Sequence, residues 1–197
     1  MLDLELTVSQ KEQVDLFVKE AFHYNKTHNL FVRDSIDAIY NKDIKDCWPV
    51  LEHINKNEKV LDIGTGAGFP GLLIAIAKPG AEVTLAESNK KKTYFLKKTI
   101  KKLALTNVKV EESHITNKTP IGPFTLITAR AFSHTQNIIN ICNPMLEPGG
   151  TYLLLKGKEV KINEEIQSIN KKEHKCEIIK VRNKYEERHI LLIKKAN

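Results

Sequence analysis

From residue 59 onward, short apolar runs alternate with helical stretches, and that rhythm leaves few folds open. KVLDI, AEVTLAE, NVKVEES, FTLITAR and GGTYLLLKG read as strands, and PGLLIAIAK, NKKKTYFLKKTIKKLAL, SHTQNIINICNPML and EVKINEEIQSINK as helices. A crossover helix returns each strand in the same direction, so the expected sheet is mostly parallel and covered on both faces. Two late strands, HKCEIIKVR and RHILLIKK, are separated only by the short polar NKYEE, which predicts an antiparallel hairpin. The expected fold class is therefore α/β, a Rossmann-like, mostly parallel seven-stranded sheet with a C-terminal antiparallel hairpin. Residues 1–57 are read as an N-terminal helical extension and 58–197 as the Rossmann-like core, together one domain. In the extension, Val14, Leu16, Phe17, Val18, Ala21 and Phe22 form an apolar stripe over residues 8–23, with Thr7 or Ser9 available to cap it. YNKTHNLF (24–31) reads as a polar break, and a second helical stretch runs through Ile36, Ile39, Ile44 and Trp48 to Ile54.

The turn out of the first strand carries two overlapping glycine patterns. In VLDIGTGAGFPG (60–71), Gly64, Gly66 and Gly68 read as G-x-G-x-G, which suggests a methyl donor. Gly66, Gly68 and Gly71 read as G-x-G-x-x-G, the dinucleotide fingerprint. Glycine permits positive φ and lets a ligand approach the backbone at the carboxyl end of the strand. Pro70 separates the readings: it suits the first turn of a helix, so the loop is 64–69 and Gly71 becomes a close-packing helix residue. Asp62 supplies a carboxylate that can orient, directly or through water, the cationic amino group of S-adenosylmethionine; a nicotinamide pyrophosphate is an anion and gains nothing. Glu87 ends the second strand 21 residues after Gly66, where an acid can accept hydrogen bonds from both ribose hydroxyls of an adenosine. A helix cap or a solvated strand end is its plainer role.

The net charge of +7 and pI of about 9.2 favour a polyanionic partner such as RNA. Lys90, Lys91, Lys92, Lys97, Lys98, Lys101 and Lys102 crowd one helix, and a solvated face explains them as readily, with Phe95, Leu96, Ile100 and Leu103 inward. No apolar run approaches the ~20 residues of a membrane span. MLDLELTVSQKEQ lacks the basic start and apolar stretch of a secretion signal. Cys47, Cys142 and Cys176 are scattered, without C-x-x-C spacing, which fits a reducing cytoplasm. The seven histidines, His189 among them, show no metal-ligand spacing and are read as surface or packing residues; no metal is expected.

Across nearly its whole length the chain resembles the 16S ribosomal RNA 7-methylguanosine methyltransferase family, also called glucose-inhibited division protein B. The matching motifs are NKTHNL (25–30), DIGTGAGFPG (62–71), ESNKKKTYFL (87–96), ARA (129–131) and PGGTYLLLKG (148–157), in the family's order and spacing. The resemblance implies S-adenosylmethionine as methyl donor and N7 of one guanine in the 16S rRNA of the small subunit as acceptor (position 527 in standard numbering). The expected partner is 16S rRNA, the 30S subunit or its assembly intermediate, and a monomer is expected. Carried over by position, Gly64, Gly66, Gly68 and Phe69 line the methionine end of the cofactor and Glu87 holds the ribose. Ile115 and Thr116 align with an adenine-contacting pair, and Arg130 with an active-site arginine. The chain departs from the family's R-x-E at His114, Ile115 and Thr116, from Asp at Thr125, and from R-H-x-x-D-S at Lys42 to Cys47.

Chemistry accounts for the lack of an obvious triad. A sulfonium-bound methyl carbon is already activated, and guanine N7 has a free in-plane lone pair, so positioning without a general base suffices. Arg130 is the candidate positioning residue, through guanine O6 or a phosphate, with a structural ion pair as its plainer role. Asn25, Lys26, Asn29 and Lys156 are candidate RNA contacts, although capping and turn formation explain the first three and a solvent-facing strand end the last. A methyltransferase for another RNA, a protein or a small molecule, and a non-catalytic RNA-binding protein of this fold, remain alternatives; a nicotinamide oxidoreductase is a distant third.

Overall fold

The structure, a computed structural model, describes residues 6–181 and 186–196. The acidic start and most of the NKYEE connection lie outside the described residues. Helix α1 (Val8–His28) begins at a capping box: the Thr7 hydroxyl accepts the Gln10 N–H and the Gln10 side chain accepts the Thr7 N–H. It runs further than the apolar stripe predicts, into the expected polar break. Tyr24 and His28 stack at 4.0 Å one turn apart, and the helix stops where Asn29 turns left-handed (φ 46°) and donates its N–H to the Asn25 carbonyl. The second stretch is not one helix. It comprises α2 (Ile36–Ile39), a π-helical turn (Tyr40–Ile44), α3 (Lys45–Cys47) and a 3-10 segment (Trp48–His53) holding Pro49, whose missing N–H cannot continue an α-helix.

The alternating part follows the expected order: β1 (Lys59–Ile63), α4 (Gly71–Ala77), β2 (Glu82–Ala86), α5 (Lys90–Lys102), β3 (Val108–Glu111) and β4 (Phe124–Arg130). Then come α6 (Thr135–Cys142), β5 (Leu146–Lys156), α7 (Glu159–Ile166), β6 (His174–Val181) and β7 (Arg188–Lys195). The seven strands lie in the order β3-β2-β1-β4-β5-β7-β6. Strand β7 is antiparallel to both β5 and β6, so it alone is reversed. The fold is a Rossmann-like methyltransferase fold with the expected antiparallel C-terminal pair.

Alternation along β1 builds the two covering layers. Val60 points into an apolar cluster with α1, α4 and α5, while Leu61 and Ile63 point into the other, with Ile138 and Ile139 of α6. Fully burying each such side chain contributes about 1.5–3 kcal/mol. The N-terminal helices share the first cluster with the core. Gln10 Nε2 donates to the Ile76 carbonyl (2.9 Å) and Gln13 Nε2 to the Leu103 carbonyl (2.9 Å), so α1 satisfies carbonyls near the carboxyl ends of α4 and α5. Strand order reverses between β1 and β4, and a ligand crevice is expected outside the carboxyl ends of the strands there.

Candidate active site

The glycine loop is organised from beneath. Asp62 is fully buried, and its Oδ2 accepts the Gly71 N–H at 2.8 Å. A Cβ on Gly71 would lie 2.2 Å from Leu85 Cδ2 and 2.7 Å from Asp62 Oδ2, so close packing excludes any side chain there. Burial pushes the Asp62 carboxyl up to about 7. Asp62 does not line the cleft; its reach to a ligand runs through the loop it holds. Above it, Gly64, Gly66 and Gly68 have φ of 68°, 60° and 99°. A Cβ on Gly66 would meet only the Gly64 carbonyl, at 3.9 Å, so this residue faces open space while its backbone still requires glycine. Glu87 is tied in twice: Oε2 accepts the Gly66 N–H (3.1 Å) and Oε1 the Asn89 N–H (2.8 Å).

Two cavities meet at this loop. A cleft of about 790 Å³ is lined by Gly64, Gly66, Phe69, Arg130, Lys156 and Arg188 among others. A side pocket of about 200 Å³ is lined by Glu87, Ile115, Ser113, His114 and Ala86, and shares Gly64, Ala131 and Phe132 with the cleft. The Phe132 ring lies against Gly64, where an added Cβ would fall 2.3 Å from Phe132 Cδ2. Thr116 is exposed and outside the side-pocket lining; its N–H donates to Thr119 Oγ1 (2.8 Å) in a local turn.

Arg130 leaves β4 into the cleft and is fixed on two sides. Its Nη1 donates to Asp43 Oδ1 (2.7 Å), and its guanidinium lies 5.4 Å from the Phe69 ring centroid. The same buried Asp43 takes Nε and Nη2 of Arg33 at 2.7 and 3.0 Å. A second pair, Arg188 Nε to Asp46 Oδ1 (2.8 Å), stands beside it. Asp43 sits where the family's R-H-x-x-D-S pattern has its histidine, whereas Asp46 keeps that pattern's acid. Sequence reasoning noted that departure but missed Asp43, Asp46, Arg33, Arg188 and Phe132 as site residues.

The four candidate RNA contacts have different surroundings. Asn25 builds the turn after α1: its Oδ1 accepts the Phe31 N–H (3.0 Å) and its Nδ2 donates to the Arg33 carbonyl (3.3 Å). Asn29 is the helix cap, and Lys26 Nζ rests 4.9 Å from the Phe22 ring centroid. None of the three lines the cleft, but their turn delivers Phe31 and Arg33 to it. Lys156 does line the cleft, though it is not solvent-facing; it pairs with Glu165 at 2.7 Å. Thr125 lies near the amino end of β4, accepting the Lys59 N–H (3.0 Å), remote from the carboxyl edge that forms the site.

The arrangement fits a nucleoside carrying a polar amino acid tail. Open glycine backbone and a carboxylate at the side pocket border two cavities that meet at the loop. Arg33, Arg130 and Arg188 on the cleft side suit an anionic acceptor.

A model of the family described as GidB: rRNA small subunit methyltransferase G matches residues 10–191. The ribosomal RNA small subunit methyltransferase G of a Psychrobacter species is 34% identical over 158 residues, covering 79% of this chain and 70% of that protein. Its namesake from Brachyspira hyodysenteriae is 31% identical over 195 residues, covering 96% and 93%. In fold, a methyltransferase from Pyrococcus furiosus matches with a TM-score of 0.68 at 19% identity, over 95% of this chain and 99% of that one. A tRNA (m1A58) methyltransferase from Aquifex aeolicus matches with a TM-score of 0.61 at 19% identity, over 78% and 69%. With the motifs, the loop and the fold in agreement, this chain belongs to the rRNA small subunit methyltransferase G (GidB) family.

Proposed function

We propose that the protein transfers a methyl group from S-adenosylmethionine to N7 of a guanine in 16S rRNA, the guanine at position 527 in standard numbering, acting on the 30S subunit or an assembly intermediate. The observation that carries this reading is the clamped Arg130 facing the glycine loop across one cleft. When bound, the cofactor supplies a methyl carbon already activated by its sulfonium. The protein's residues contribute position. Gly64, Gly66 and Gly68 let the backbone close on the methionine end, Asp62 holds that loop, Glu87 is the ribose acceptor, and Ile115 gives the side pocket an apolar wall for adenine. Arg130 and Arg188 receive guanine O6 or backbone phosphates, and Phe69 and Phe132 keep the reacting centre dry. No residue is needed to remove a proton, because N7 attacks with a lone pair outside the aromatic system. The protein works as a monomer. Among the described residues no helix is long and apolar enough to cross a membrane.

The test is methylation of 30S subunits and of naked 16S rRNA with labelled S-adenosylmethionine, followed by mass-spectrometric mapping of the base. Label at a single guanine N7 is expected. Cofactor binding without transfer to either RNA would overturn the assignment.

A further inference from the structure

We propose that Glu159, Glu187 and His189 form a divalent-cation site beside the cleft, suited to zinc or another first-row transition ion. Their positions in sequence hide it, because the three residues come from the start of α7, the segment entering β7, and β7 itself.

His189 carries the argument. It pairs in register with Lys156 of β5 and Lys180 of β6 and is only 2% exposed. Its Nδ1 lies 2.7 Å from the Gly157 carbonyl oxygen. A carbonyl can only accept, so Nδ1 bears the proton, and in the neutral ring Nε2 presents a bare lone pair. Nε2 is buried and has no hydrogen-bond partner among the described residues; the Glu159 carboxylate stands in front of it, Oε2 at 3.6 Å. A lone pair facing carboxylates is an arrangement of acceptors with no donor between them, and a cation resolves it.

The carboxylates are placed to help. Glu187 Oε1 accepts the backbone N–H of Glu159 at 3.0 Å, which anchors one ligand on the residue that carries another. The potential ligand atoms of all three residues lie within 4.8 Å of one another. Tetrahedral ligands about 2.0–2.1 Å from zinc stand about 3.3 Å apart. Nε2 and Oε2 of Glu159 are already near that separation, and rotation of two exposed glutamates supplies the rest. A metal-bound histidine typically donates its second ring N–H to a backbone carbonyl, which is the role of Gly157 here. One imidazole and two carboxylates, with no thiolate, favour zinc, manganese, cobalt or nickel over copper(I), and leave a coordination position for water. Gly157 and Arg188, the chain neighbours of this cluster, line the cleft, so a bound ion would brace its β5–β7 edge.

The test is calorimetric titration of chelator-treated full-length protein with Zn²⁺, paralleled by Co²⁺ absorption spectroscopy. One ion per chain is expected, with a visible Co²⁺ band, a raised melting temperature, and binding weakened at least about tenfold in Glu159→Gln and in Glu187→Gln. These two residues are exposed, so the variants test the site even if His189→Gln fails to fold. The absence of one-to-one binding would overturn the proposal. Binding that both glutamine variants leave unchanged would overturn it equally.

Discussion

Replacing Asp43 with asparagine separates arginine geometry from arginine charge. Asp43 is 1% exposed and accepts Arg33 Nε and Nη2 at 2.7 and 3.0 Å and Arg130 Nη1 at 2.7 Å. Asparagine keeps the outline and one acceptor oxygen but turns an N–H₂ toward a guanidinium and removes the charge. Breaking a buried ion pair costs about 3–5 kcal/mol. The two arginines retain 22% and 21% exposure, so water recovers part of that, leaving a loss of about 2–3 kcal/mol. Against the ~5–15 kcal/mol of a typical domain the variant stays folded. Urea unfolding should show that loss, while methylation at 25 °C falls about ten- to hundredfold because Arg130 no longer has one fixed position. Adding Asp43→Asn to Arg130→Ala should then lower kcat/KM little further, since both act through one guanidinium. A destabilised Asp43→Asn enzyme with wild-type turnover would refute the argument, as would fully additive losses in the double variant.

Other outcomes follow from the same geometry. Arg130→Ala should fold, with Asp43 still paired to Arg33, and lose about 10²-fold in methylation; undiminished turnover would remove Arg130 from the reaction. Gly64→Ala forces a left-handed φ on alanine, at about 1–2 kcal/mol, and drives Phe132 off the loop, so calorimetry should show weaker S-adenosylmethionine binding. For the free protein, Asp62 has its carboxyl raised from 3.8 to about 7 by burial. The folded state therefore holds a proton that the unfolded chain has released, and this group's contribution to stability is full below pH ~4 and declines as pH rises to ~7. Asp62→Asn should gain stability relative to wild type between pH 5 and pH 8 in thermal melts; a pH-independent difference would contradict the assignment.

Much of the site was legible because its signals are local. Positive φ at Gly64, Gly66 and Gly68, the break made by Pro70 and the strand-end position of Glu87 are each decided within a few residues, by backbone sterics and strand period. The reading of Gly71 as a packing glycine was local too, and its contacts with Asp62 and Leu85 show why. The polar break misled because Asn25 and Asn29 suit turns and helix ends equally well; the Tyr24–His28 stack and the left-handed Asn29 placed the boundary at residue 29. Likewise the single helix expected through Ile54 shows good apolar spacing, yet its buried Asp43 and Asp46 answer to arginines elsewhere.

Those pairings mark the boundary between sequence and fold. Asp43 meets Arg130 across 87 positions and Asp46 meets Arg188 across 142. The distances carry no spacing rule, because the sheet order decides which strand ends become neighbours. The sequence by itself determined the strand–helix order, the conformation of the glycine loop and the family, since these depend on period, backbone freedom and contiguous motifs. Only the tertiary structure decided which charges face the cleft, that Phe132 lies on Gly64, and that His189 turns its buried Nε2 toward the Glu159 carboxylate, since burial and orientation are properties of the packed chain.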